Sequence, residues 1–276
     1  MIKLIDMDSL FDKYISDYVY NNIGKINPDE IENNIPNLYN EFGDKVLDEL
    51  DGKTPNSFYL GYSGEELVSC LKNHIESGVQ VSDFLCEAIQ NNIKNEQALL
   101  AELNNDNTEE LVLYLMNMLD AMNSKKAKNR YLEFILWDYS QPIKELATEI
   151  LCSMAEEVKE DILKTFSECS NLVKAYLTQI LSYCKNDDEI LEILINEFIA
   201  NPKEIPIYAG YLARFGDDRA LPFLKTAIEN EKINYQDFEE LRYAIESLGG
   251  EYTKKRDFTA DKIYKKIKAS KEGKKV

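Results

Sequence analysis

The chain has 276 residues, 44% of them hydrophobic and 30% charged, with 50 Asp and Glu against 32 Lys and Arg for a net charge of −18. That length holds one large or two modest domains, and so strong an excess of carboxylates disfavours non-specific nucleic-acid binding by the body of the protein. Gly and Pro are few, alternating β-branched runs are almost absent, and Leu, Ile, Glu, Lys and Asn dominate, so the expected fold class is all-α.

The first residues, Met1–Tyr14, mix charged with apolar side chains and lack the uninterrupted apolar core of a signal peptide. No window approaches the roughly 18 apolar residues of a membrane span. Asn27 before Pro28, with Glu30 at the third helical position, marks the start of a helix running through Leu38 and Phe42. Thr54 caps a short helix across Phe58 and Tyr59. Ser63-Gly64-Glu65-Glu66 is a capping box that opens the helix Leu67–Glu76, which Gly78 ends. Ser82 caps the next helix, with Phe84, Leu85, Ala88, Ile89 and Ile93. Asn107 with Glu110 opens the apolar helix Leu111–Met122. The lone Trp137, among Leu132, Phe134, Ile135, Leu136 and Tyr139, is expected to be buried at a helix end.

From there the chain repeats. Tyr208–Glu229 reads as a helix, a Gly-Asp corner and a second helix. Ile207, Tyr211, Leu212 and Phe215 form the inward stripe of the first helix. Gly216 supplies the helix end, Asp217 or Asp218 caps the next helix, and Pro222 falls in its first turn. Ala220, Leu221, Phe223, Leu224, Ala227 and Ile228 give the second helix its buried face. Sliding this unit along the chain places Leu151, Leu181, Leu212 and Ile245 in one register, at steps of 30, 31 and 33 residues. A period in the low thirties with two helices per period is the signature of an α-solenoid. The organisation expected is an N-terminal helical cap over 1–105, helical repeats over 106–250 and a basic C-terminal helix and tail over 251–276, with Asn104–Asn107 as the joint.

Ala209, Leu212, Gly216, Asp217, Ala220, Leu221, Pro222 and Leu224 fit A-x-x-L-x-x-x-G-D-x-x-A-L-P-x-L. Residues 208–229 thereby resemble a HEAT-like repeat of the short bacterial kind also called PBS-lyase repeats, from a family otherwise uncharacterised. Elsewhere the pattern is degenerate: Ala155 and Lys185 stand at the corner glycine, and Gly249 restores it. The resemblance covers roughly the C-terminal half. It implies a right-handed superhelix of helical hairpins that serves as a recognition scaffold, mostly non-catalytic, with lyase or DNA-repair activity in some members.

Catalytic patterns are scarce. The single His74 sits near a helix end, and Glu76, two residues on, does not share its face. One His and no Cys cluster argue against zinc, and phosphate-cradling loops, a nucleophile elbow and calcium loops are absent. Asp187-Asp188 and Asp217-Asp218 are explained by capping. No cofactor and no metal are expected. The five cysteines, Cys70, Cys86, Cys152, Cys169 and Cys184, are odd in number and widely spaced, which favours reduced thiols in a cytoplasmic protein.

Charge is unevenly spread. Residues 251–276 hold ten Lys and Arg against four Asp and Glu, a net of +6, so residues 1–250 carry −24. The acidic body either serves solubility or steers toward a basic partner. The basic tail reads as a final half-repeat in which Phe258, Ile263 and Ile267 dock with lysines facing water, or as a tether to nucleic acid or anionic lipid. Three functions follow as expectations: a non-catalytic scaffold binding a basic protein in an acidic concave groove, an acidic inhibitor or immunity-type protein that neutralises a basic partner, and a HEAT-like enzyme of DNA base repair or tetrapyrrole attachment. On the first, the partner-binding residues are the non-core stripes of the second helices, Lys164, Glu192, Asn196, Lys225 and Glu229.

Overall fold

The computed structural model describes residues 2–22 and 28–272; the expected Asn27 cap and the last four residues of the basic tail lie outside them. Through the described residues run sixteen α-helices: α1 (Met7–Asn21), α2 (Pro28–Gly43), α3 (Pro55–Phe58), α4 (Gly64–Glu76), α5 (Asp83–Gln90), α6 (Glu96–Leu103), α7 (Glu109–Ala121), α8 (Lys128–Leu136), α9 (Gln141–Cys152), α10 (Ala155–Phe166), α11 (Asn171–Leu181), α12 (Asp188–Ala200), α13 (Ile205–Phe215), α14 (Leu221–Ile228), α15 (Tyr235–Ser247) and α16 (Lys262–Glu272). Three single 3₁₀ turns and one isolated bridge, Leu47 with Lys53, accompany them, and no strand is present among the described residues. The fold is all-α. Among the described residues no helix is long and apolar enough to cross a membrane.

The chain divides within α8 into two compact units, Met1–Arg130 and Tyr131–Val276. In the first unit the helix starts follow the sequence closely. Ser63 and Glu66 form the reciprocal capping box, with Ser63 N–H donating to Glu66 Oε2 at 2.9 Å. Gly78 takes a left-handed φ of 64° at the end of that helix, and Ser82 caps α5. One start is displaced by a residue. Thr108, not Asn107, caps α7: both ends of the Asn107 amide are committed, Oδ1 accepting from Lys72 Nζ at 3.2 Å and Nδ2 donating to the Glu102 carbonyl at 2.7 Å. The run Asn104–Asn107 is therefore a bonded turn between α6 and α7. Phe42 fills the centre of an aromatic cluster, its ring 5.3 Å from Phe11 and 6.1 Å from Phe84.

In the second unit α9, α11, α13 and α15 stand at the first-helix positions of the expected repeat and α10, α12 and α14 at the second-helix positions. First helices pack on one another, α9 on α11 and α13 on α15, and α10 and α12 each pack on the first helix that follows. Leu151, Leu181, Leu212 and Ile245 are all fully buried, as their shared register requires. Buried hydroxyls repeat with them: Thr148 and Thr178 each donate to the carbonyl four residues back at 2.7 Å. The ties between hairpins keep the same interval. Lys159 Nζ reaches Asp187 at 3.3 Å, Lys185 N–H reaches Glu156 at 3.0 Å and Arg214 reaches Ser182 at 3.0 Å, across 28, 29 and 32 residues.

The corners show how one geometry is built from different residues. Gly216 adopts φ 83° and its N–H donates to Leu212 O at 3.1 Å, the left-handed helix end that favours glycine. One hairpin earlier the left-handed residue is Asn186, with φ 53°, rather than Lys185. The turn from α9 to α10 needs only Ser153 and Met154 and has no positive φ. Pro222 sits at the start of α14, where a missing N–H costs little.

Trp137 differs from expectation: it is 67% exposed. Helix α8 stops at Leu136 after burying Tyr131, Leu132, Phe134 and Ile135, so Trp137 falls just past the stripe. Tyr139 takes the expected place, packing edge-on against Phe134 at 4.7 Å between centroids. As the only tryptophan, it gives a direct check: native fluorescence should be quenched by acrylamide nearly as efficiently as in urea. Strong protection in the native state would contradict this placement.

The Asp217 carboxyl is held below its usual range by the Arg219 side chain, whose guanidinium approaches it at 2.7 Å. A depressed carboxyl stabilises the fold above its ordinary value, and that contribution is lost as the pH falls through the depressed one. Asp217→Asn should therefore lower the urea midpoint most near neutrality, and its difference from wild type should shrink in acid. A pH-independent difference would show that the charge of Asp217 contributes nothing.

Candidate interaction surface

The second helices carry the five residues expected to meet a partner, and all five are exposed. Lys164, on α10, is paired within its own helix to Asp161 at 3.1 Å. Glu192 and Asn196 stand one turn apart on the outer crest of α12, and Lys225 projects from α14. Glu229 is tied down: its carboxylate accepts from Lys254 Nζ at 2.7 Å, and this bond holds its pKa below the ordinary value. The fold brings Glu192 and Asn196 together on one helix and places the other three on α10 and on or just past the end of α14.

Between α12 and α14 lies a groove of about 620 Å³ that the sequence did not disclose. Its walls are Ile199, Pro202, Phe223, Ala227 and Ile233, with Asn230, Lys232 and Asp237 at the rim. Ile199 is 56% exposed, and Phe223, expected on the buried face of its helix, is exposed as well. At about 3.6 residues per turn, Leu224 and Ile228 define the buried line of α14. Phe223, Ala227 and Asn230 then fall on the flank toward the groove, and Lys225 and Glu229 on the opposite flank. Half-buried Asp237 has its carboxyl pushed up by desolvation, offset by the Asn234 amide at 2.8 Å. An available signal was Ile199, an aliphatic residue directly after the core residue Phe198.

The opposite flank of α14 is occupied by the start of the basic segment. Arg256 donates to the carbonyls of Ile228 and Asn230, each at 2.8 Å, and its guanidinium lies 5.3 Å from the Phe238 ring centroid. Phe258 packs against Tyr235 and Phe238 at 5.3 and 5.1 Å, and Tyr264 of α16 against Tyr235 at 4.9 Å. Residues 251–258 thus form a strap over the last hairpin. The docked half-repeat describes this segment, with Ile263 and Ile267 half-buried.

Reactive chemistry is committed elsewhere. His74 is fully buried, Nδ1 lying 2.8 Å from the Cys70 carbonyl and Nε2 3.1 Å from the Ile5 carbonyl. Burial pushes the thiols of Cys70, Cys86 and Cys152 up to about 11 and that of Cys184 to about 12, which keeps them protonated and inert near neutrality. Among the described residues no group of three His, Cys, Asp or Glu is placed to hold a metal ion. No family model, no curated protein and no solved structure matches the chain.

Two carbonyl bonds from one guanidinium make Arg256 the anchor of the strap. Arg256→Ala should cost about 1–3 kcal/mol in urea unfolding, within the range for charged hydrogen bonds, and should speed tryptic cleavage at Lys254 and Lys255. Unchanged cleavage and stability together would mean that the strap is held without it.

Proposed function

We propose that the chain is a right-handed HEAT-like α-solenoid that works as a non-catalytic scaffold and binds a basic protein along the second helices of its repeats. The observation that carries this reading is the groove between α12 and α14, where Ile199 and Phe223 present apolar surface to solvent. Apolar side chains exposed in a concavity and rimmed by polar groups are the pattern of a binding site. The charge around it supports a basic partner: residues 131–250 carry 23 Asp and Glu against 11 Lys and Arg, a net of −12. Glu192 and Asn196, exposed on α12 outside the groove, add to the negative field that a ligand approaching it would meet.

The solenoid half of the proposal is supported by the spacing of the ties. Bonds from Lys159, Lys185 and Arg214 span 28 to 32 residues, the interval between Leu151, Leu181 and Leu212. A stack in which each hairpin touches its neighbours produces contacts at one repeat length. The single histidine, locked between two carbonyls, lends no support to an enzyme.

The test is a pull-down from native extract at low and high salt with wild type and with Ile199→Glu/Phe223→Glu. Both side chains are exposed, so the double variant should melt within a few degrees of wild type. A basic protein retained by wild type at low salt should be lost from the variant by about tenfold or more. Equal retention by a folded variant would remove the groove from the binding site, and a partner indifferent to salt would remove the electrostatic part.

A further inference from the structure

We propose that the exposed face of α11 and α13 is a second protein-binding surface, fitted to a linear polypeptide segment that is cationic at both ends and small or aliphatic between them. This inference stands apart from the groove of α12 and α14, since it concerns the first helices of the hairpins.

The observations begin with side chains that the apolar register misplaces. Ile207, expected in the inward stripe of α13, is 50% exposed, because Ile205, Tyr208, Ala209, Leu212 and Phe215 already fill that stripe. Leu172, Tyr176 and Gln179 of α11, with Tyr183 in the turn just past its end, recur at intervals of four, three and four residues, the spacing of one helical face, and none of them is buried. The two faces are joined. Tyr211 OH lies 3.4 Å from Gln179 Oε1, and the Arg214 guanidinium lies 4.4 Å from the Tyr183 centroid and 5.6 Å from that of Tyr211. Tyr and Arg held by stacking are the residue types that dominate binding hot spots. Arg214 spends one bond on Ser182, which leaves guanidinium N–H groups for a partner's main-chain carbonyl.

Gly210 lies at the middle of this face. It is the central residue of α13, where glycine is destabilising relative to alanine. Its φ is not left-handed, and a Cβ built on it meets nothing within 4 Å. Neither backbone geometry nor internal packing therefore requires glycine here. What its absent side chain leaves is a notch on the outside of the helix, which permits close approach of another backbone.

The charges on either side select the occupant. On α9 the exposed carboxylates are Glu145 and Glu149; on α15 they are Glu240 and Glu246, with half-buried Glu239 shared with Arg242 at 2.6 Å. An apolar, tyrosine-lined strip with carboxylates at both edges is complementary to a segment with Lys or Arg at both ends. α9 packs on α11 and α13 on α15 at about 8–10 Å, and the step from α11 to α13, bridged by side chains, is no shorter, so α9 to α15 spans roughly 30 Å, or about nine extended residues.

The probe is a fluorescent peptide of about ten residues with two Lys or Arg at each end and Ala, Gly and Leu between, against a control with Glu at the ends. Binding is read by anisotropy with the full chain, Gly210→Ala, Gly210→Leu and Tyr243→Ala, each also melted. Wild type should bind the cationic peptide and not the control. Gly210→Ala should melt at or above wild type yet bind more weakly, and Gly210→Leu should bind about tenfold more weakly or worse. Tyr243, 66% exposed on α15, should show a smaller loss. Three results would overturn the proposal: no binding by wild type, equal binding of the acidic control, or unchanged affinity in the folded Gly210→Ala and Gly210→Leu variants. Should Gly210→Leu unfold, Gly210→Ala decides alone.

Discussion

One residue, Lys185, in the turn between α11 and α12, bonds both to α10 and to the end of α13, and ties of that kind link the helices of the second unit. Its backbone N–H donates back to Glu156 at 3.0 Å, and its Nζ donates forward to Phe215 O at 3.1 Å and to Arg214 O. The forward bonds satisfy carbonyls at the end of α13 that no helical N–H can reach. The backward bond fixes the turn ahead of Asp187, which caps α12 through Ile190 N–H at 3.2 Å. A hairpin of two short helices cannot bury its apolar face alone, so it is stable only while a neighbour in the same register covers it. Bonds at the corners set that register, and the buried leucines then fill it.

The strap of residues 251–258 shows the same kind of tie: it donates to carbonyls at the end of α14 and covers Phe238 of α15. Arg256 does at the end of α14 what Lys185 does at the end of α13, donating to the carbonyls of Ile228 and Asn230, while Phe258 closes the aromatic cluster. Lys254 neutralises Glu229 in passing. Lys254 and Arg256 are thus accounted for by an acidic, carbonyl-rich end that needs donors, while residues 251–258 carry a net of only +1 and the other +5 of the basic segment lies in residues 259–276.

Much of this was legible in the sequence, because helix ends are written in local chemistry. Gly216, Asp217 and Pro222 each do what their backbone preferences dictate, and the capping box of Ser63 and Glu66 closes as its spacing requires. The failures share a cause. Periodicity gives the angle at which a side chain leaves its helix but not which neighbour, if any, covers that angle. Ile207 and Phe223 lie one step from a buried stripe, near enough in angle to look inward and far enough to face out. Trp137 was misplaced by a single residue of helix length, and Thr108 displaced Asn107 as a cap because a residue distant in sequence, Lys72, claimed the asparagine's acceptor oxygen. The candidate surfaces lay in that blind spot, since an interaction surface is made of apolar residues whose partner is not in the chain.

The acidic charge and the exposed apolar groups are then parts of one physical arrangement. Ile199, Leu172, Ile207 and Tyr243 on a neutral protein would invite self-association. A body of −24 makes two copies repel, while a cationic segment is drawn to the same surface. Charge for solubility and charge for recognition are usually set against each other as explanations. On the proposed function, repulsion between copies would leave apolar residues exposed for a partner of opposite sign, so that one set of carboxylates would perform both roles, and their position on α9, α12 and α15, beside the apolar strips and not over them, fits each role.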